Sequence, residues 1–340
     1  MQIETQAYNL SMKRDPFFDN AKVLLMILVV FGHILDIGVQ TKFNIVTYEW
    51  IYSFHMPLFV FISGYFTRLK DADKFRESII KFAETLIVFT LIHVITSFII
   101  GDLTVNLYQI LIIPRWTLWY LLSLIWWRLM LFLTPSSIRE NHKVLIFLSI
   151  ILCLTMGWIP VDSLFSFQRT FAFLPFFTIR YVAGTNNIDI KTNKRGSFLC
   201  FLFLTAIALL YFIIPKINYG ILTQSHSYFQ DSLSSGFDNF ALRVAWLFLA
   251  SCMAYCFLSI VPRKEYCWTH FGHLTLFIYM YHSVILLWRF VLRDEFHLPS
   301  NLFFLVLYTV FVLGIIWLMS KVKFFHRLLN PISSTKKYRI

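Results

Sequence analysis

Charge is what this 340-residue chain has least of: 14% of its residues are charged and 58% are hydrophobic. A soluble domain carries roughly 25% charged residues, so the shortfall excludes a water-facing globule and points to a polytopic membrane protein. Cysteine is scarce too. The five, at 153, 200, 252, 256 and 267, make no CxxC pair and no Cys/His cluster, so they encode neither a metal site nor a redox motif and read as small hydrophobes. Acidic residues number 18 against 30 basic, a net charge of +12. The basic residues sit at the ends of apolar runs with no folded module to present them, which argues against a DNA or RNA binder. No filter-like repeat suggests a channel. The polar N-terminus lacks the basic start and small-residue cleavage site of a secretory signal, so the first apolar helix is expected to be retained.

What the chain does have is apolar length. Ten runs, each able to cross a hydrocarbon core of about 30 Å, are expected at approximately 17–38, 49–68, 79–100, 116–133, 143–160, 165–184, 197–215, 241–260, 270–291 and 301–320. The expected fold is all-α, a helical bundle of about ten transmembrane helices in one integral domain, 1–340. Twenty basic residues fall on the side of the N-terminus, against Lys42, Lys216 and Arg293 on the other. That imbalance places both termini in the cytoplasm and the protein in the cell membrane. The 68–81 loop reads as an amphipathic stretch on anionic membrane lipids, or as a contact for a phosphorylated ligand. The polar 216–240 loop, with His226, Asp231 and Asp238, reads as an external loop and partial lid.

Ionisable residues inside such spans face a protein interior or a cavity and often mark function. In the first span, Arg14-Asp-Pro-Phe-Phe-Asp19-Asn-Ala-Lys22 runs straight into an apolar helix whose one deep ionisable group is His33. Lys22 and His33, eleven positions apart, are nearly eclipsed and about 16 Å apart along the axis. Arg169 and Arg180 repeat that spacing in the sixth span. They form a stripe toward an interior, or snorkel to headgroups as Arg128 can. In the second span Pro57 is expected to break a backbone hydrogen bond and Gly64 to allow a close helix approach. Ser63 has no base placed near it and reads as a packing residue. Tyr279 and His282, three apart, share a face.

Several of these blocks, in order, resemble one family: the membrane-bound acyltransferases that O-acylate sugars and related acceptors, the acyltransferase 3 group. The first is Arg14 and Asp19-Asn-Ala-Lys22 followed by His33. Then come Ser53-Phe-His-Met-Pro57-Leu-Phe-Val-Phe-Ile-Ser63-Gly64-Tyr65, Leu118-Trp119-Tyr120-Leu121, Arg169-Thr-Phe-Ala-Phe-Leu-Pro175-Phe-Phe, and Gly272-His-Leu-Thr-Leu276-Phe-Ile-Tyr279-Met-Tyr-His282. Lys22 stands where the family often has arginine, which keeps a charge and loses the planar fork. The chain looks like the integral domain alone, without the extracytoplasmic esterase-like domain some relatives append.

The resemblance implies transfer of an acetyl or other short acyl group from a coenzyme A-type thioester to a carbohydrate hydroxyl. Acyl-CoA is then a substrate, with no permanently bound cofactor and no metal. A sugar hydroxyl needs a base close by to take its proton, and His33 is the candidate; the other reading is a packed, hydrogen-bonded histidine. Arg14 and Lys22 would meet the donor's phosphates, or simply anchor the helix end. Asp19, too far along the helix to orient His33, is expected in a salt bridge. Arg169 is the candidate for an anionic acceptor or for the charge that builds on the thioester oxygen. Trp119, Tyr120, Tyr279, His282 and His55 are candidates for acceptor contacts, though aromatics also populate interfacial belts. The competing reading is a transporter or flippase of a glycan or lipid-linked precursor. Transporters often carry internal repeats, and none is evident here.

Overall fold

The computed structural model describes residues 15–37, 41–67, 69, 71–101, 112–114, 116–161, 164–186, 193–230, 235–296 and 301–329. It is 84% helical, with no strand among the described residues. Among the described residues eight helical segments are long and apolar enough to cross a membrane, so the protein is a multi-pass membrane bundle. The first is α1 (Pro16–Ile37); the second is α2 (Lys42–Tyr52) with α3 (His55–Tyr65); then come α4 (Ala72–Ile99) and α5 (Trp119–Leu133), the latter led in by a tight turn at Trp116–Leu118. Two further spans expected from the sequence are present as helices: α7 (His142–Thr155), after the short α6 (Ser136–Glu140), and α8 (Phe167–Thr185). The first is shorter; the second buries Gln168, Thr170, Thr178 and Arg180, polar groups that hydrophobicity alone would not place in lipid. The remainder are α9 (Lys194–Ile213), the short α10 (Tyr219–Thr223), α11 (Gly236–Ile260), α12 (Thr275–Phe296, entered through the turn Thr269–Leu274), α13 (Leu302–Met319) and α14 (Lys323–Leu329).

Burial sorts these helices into a centre and a rim. The spans of α1 and of α2 with α3 are 67% and 72% buried, while those of α9 and α13 are 17% and 22% buried. Rim helices turn residues such as Phe198, Ile213, Phe303 and Val310 outward, as lipid-facing helices should. At the centre α3 packs against α8, and Gly64 permits it: a Cβ there would lie 2.2 Å from the Phe177 carbonyl oxygen.

The second span departs from expectation in two ways. It starts at Lys42, not 49, because Thr41 caps it by accepting from the Asn44 N–H and the polar Glu49 is buried, accepting from the Ile217 N–H at 2.7 Å. Its interruption falls at Ser53–Phe54, three residues before Pro57. Pro57 sits in the first turn of α3, where a missing N–H costs nothing. At the gap the Ser53 hydroxyl donates to the Glu49 carbonyl and pairs with the Tyr211 hydroxyl at 2.6 Å.

Candidate active site

The break turns Tyr52 and His55 toward the distal part of α1, where His33 lies. Together with Trp116, Trp119, Arg169, Tyr219 and Tyr279 they line a chamber of about 470 Å³. A second space, about 550 Å³, shares Trp116, Arg169 and Tyr219 with the first. The two form an inner chamber and a vestibule at the end of the bundle where α1 finishes, opposite the end where it begins. The 216–230 segment covers this end through α10.

Around His33 the geometry is specific. Its Nδ1 lies 3.0 Å from the Tyr52 hydroxyl. Its ring centre is 5.0 Å from that of Trp116, edge to face, and 5.4 Å from that of His282. His55 and His282 each place Nδ1 against the backbone carbonyl four residues earlier, Ile51 at 2.8 Å and Ile278 at 3.1 Å. A carbonyl only accepts, so both histidines carry their proton on Nδ1 and, when neutral, present Nε2 as a lone pair. His282 Nε2 is buried with no partner among the described residues. For His33 the partner is a hydroxyl, which can accept from Nδ1–H or donate to a bare Nδ1; the arrangement in which it accepts is the one that leaves Nε2 as the basic atom.

Arg169 forms the wall between the two spaces. Its guanidinium carbon stands 5.0 Å from the centre of the Trp119 ring, and Tyr219 lines both spaces beside it. Tyr279 donates to the Thr117 carbonyl at 2.7 Å, which ties α12 to the turn that carries Trp116. Tyr120 is not in the chamber lining: its hydroxyl pairs with Ser63 at 2.6 Å, and its ring centre lies 5.1 Å from that of Tyr279.

The other end of α1 holds a separate polar cluster. Asp19 pairs with Lys22 at 2.7 Å. The Asn20 amide donates to the Pro262 and Lys264 carbonyls at 2.8 and 2.9 Å. A Cβ on Gly272 would come within 2.6 Å of the Asp19 Cβ, which is why that residue carries no side chain. Arg180 does not snorkel: it is 1% exposed and stands 4.2 Å from the Tyr65 ring and 5.0 Å from Phe18. Arg128 is held inside by Ser78 and the Phe82 ring. Arg14 lies outside the described residues.

Thus the structure brings His33, His55, Trp119, Arg169 and Tyr279 to one chamber, with His282 against His33. It leaves Lys22 and Asp19 at the opposite end, about three helical turns away. Sequence reasoning passed over Tyr52, Trp116 and Tyr219. Tyr52 ends α2 and His55 begins α3, and it is the break between them that brings the two rings to 4.6 Å, which helical spacing does not announce. For Trp116 the signal is only structural, a left-handed backbone with φ 35.

These features define an integral-membrane helical bundle enclosing an ionisable, aromatic-walled chamber. A family described as an acyltransferase domain, the acyltransferase 3 family, matches residues 15–321, and the chain belongs to it. It is therefore an acyltransferase; transport without chemistry is not favoured. No curated protein and no solved structure matches the chain.

Proposed function

We propose that the protein is an O-acyltransferase of the cell membrane that moves an acetyl or other short acyl group from a coenzyme A thioester to a carbohydrate hydroxyl, with His33 as general base. The observation that supports this best is His33 itself, bordering a chamber with Nδ1 engaged by Tyr52 and Nε2 left for a ligand. In the reaction the hydroxyl oxygen attacks the thioester carbonyl while His33 Nε2 takes its proton. The tetrahedral intermediate then collapses, the C–S bond breaks, and the proton passes to the departing thiolate. Arg169 supplies positive charge to the acceptor or to the oxyanion. Trp119, Tyr279 and His55 offer surfaces for a sugar ring, with His282 behind His33.

Both termini are assigned to the cytoplasm. Lys22, with Arg14, then meets the nucleotide end of the donor, and the long pantetheine arm spans the distance to His33. Asp19 holds Lys22 in place.

The test uses purified protein, acetyl-CoA and a panel of glycans, with free thiol as the readout. Thiol release should require an acceptor and should fall by about a hundred- to ten-thousandfold in His33→Gln. Undiminished release from that variant removes the assignment, and movement of unmodified glycan across vesicles with no thiol release favours transport instead.

A further inference from the structure

Among the described residues the vestibule wall holds one cation, Arg169, and no carboxylate; a carboxylate on α1, Asp36, lies within electrostatic reach of Tyr52 and Tyr219. The vestibule lining includes Pro114, Trp116, Ser166, Arg169, Tyr219 and Ser225, and the inner chamber adds no carboxylate either. Arg169 makes no ion pair among the described residues, and its Nε is buried without a hydrogen-bond partner. Arg169 is part-buried, open toward the cavity, and a guanidinium partly out of water is stabilised by an anion beside it.

Backbone polarity adds to the same field. Arg169 stands in the first turn of α8, where a cation opposes the helix dipole and an anion is favoured. That turn has no acidic residue, and Ser166, its N-cap, makes no side-chain capping bond. The start of α5 beside it also has no side-chain cap and no acid in its first turn. The uncapped beginning of α8 and the tight turn leading into α5 thus border one guanidinium. The backbone there is held at a cost: Trp116, Phe165, Ser166 and Gln224, all at or beside this wall, are the non-glycine residues with positive φ among those described. Such conformations cluster where a ligand is clamped.

We propose that the acceptor is an anionic sugar. Arg169 seats its oxyanion, a carboxylate or a phosphate on the ring, in the vestibule, so that a hydroxyl of the same unit enters the inner chamber beside His33. The hydroxyl's role rests on the acyl-transfer reading; the anion site does not.

Binding is therefore measured without donor, on the detergent-purified full chain, by isothermal titration and by intrinsic tryptophan fluorescence, to which Trp116 and Trp119 contribute at the site. The probes are methyl glucuronide, glucose 6-phosphate, methyl glucoside and inorganic phosphate. One or both anionic sugars should bind about ten- to a hundredfold more tightly than the neutral sugar, the span expected for a charge-assisted contact. Whichever anionic sugar is favoured identifies the oxyanion. Arg169→Gln should erase the preference and Arg169→Lys should keep part of it. Equal affinity for charged and neutral sugars in the wild type, a preference that survives Arg169→Gln, or inorganic phosphate binding as tightly as either sugar would overturn the proposal. Because no acyl group moves in this assay, its failure leaves thiol release and the role of His33 to be judged separately.

Discussion

Tyr52→Phe removes one oxygen from the protein and should change which nitrogen of His33 is basic. The hydroxyl lies 3.0 Å from Nδ1; the base role of Nε2 requires the arrangement in which Nδ1–H donates to it, and without the hydroxyl that Nδ1–H is left with no acceptor. An unsatisfied buried donor costs about 1–3 kcal/mol. The imidazole avoids that cost by moving its proton to Nε2, which then cannot accept one from a substrate. At about 1.4 kcal/mol per factor of ten, the reactive tautomer, and with it kcat, should fall by about five- to a hundred-and-fiftyfold, with KM for the thioester little changed. A merely structural loss would instead lower the amount of folded protein and leave the turnover of what remains. The decisive measurement is the double variant. If Tyr52 acts through His33, Tyr52→Phe in a His33→Gln background should cost nothing further. Full additivity of the two losses would refute the argument.

Two more predictions follow from backbone geometry. Gly64→Ala places a methyl 2.2 Å from the Phe177 carbonyl oxygen, where ordinary contact begins at 3.4 Å. Parting α3 from α8 should cost about 1–3 kcal/mol or more, a drop of several degrees in thermal midpoint by differential scanning fluorimetry; an unchanged midpoint would contradict the packing described. Trp116→Gly removes a left-handed tryptophan worth about 1–3 kcal/mol of strain and also the ring 5.0 Å from His33. The ring also packs against the core, and its loss outweighs that relief, so thermal stability should fall by less than for an unstrained buried tryptophan while thiol release falls, both read on the same preparation.

The bundle is legible in the sequence because membrane burial leaves long apolar runs. It becomes illegible where burial is supplied by protein instead of lipid. The start of the second span shows this: the helix runs seven residues before the expected start at 49, with Asn44 buried and Glu49 buried and satisfied by the Ile217 N–H. Within the site, His33 stands out because an ionisable group deep in an apolar helix is rare. Gly64 also stands out, and its expected close approach is what the structure contains. Tyr120 and Trp119 are adjacent in sequence but face different surroundings, a difference that neither periodicity nor composition carries. Tyr219 belongs to a polar loop whose five-residue helix reaches the chamber, a fold-back no local pattern announces.

The polar loading of α8 also bears on how the chain is assembled. With Gln168, Thr170, Thr178 and Arg180 turned inward beside Arg169, this segment gains little from partitioning into hydrocarbon by itself. The approach of α3 at Gly64, and the hydrogen bonds that Ser123 and Trp127 make to Thr170 at 2.7 Å, supply what lipid does not. During biogenesis it must therefore be retained by helices already made, so the segment that carries the chamber's cation into the membrane depends for its insertion on its companions.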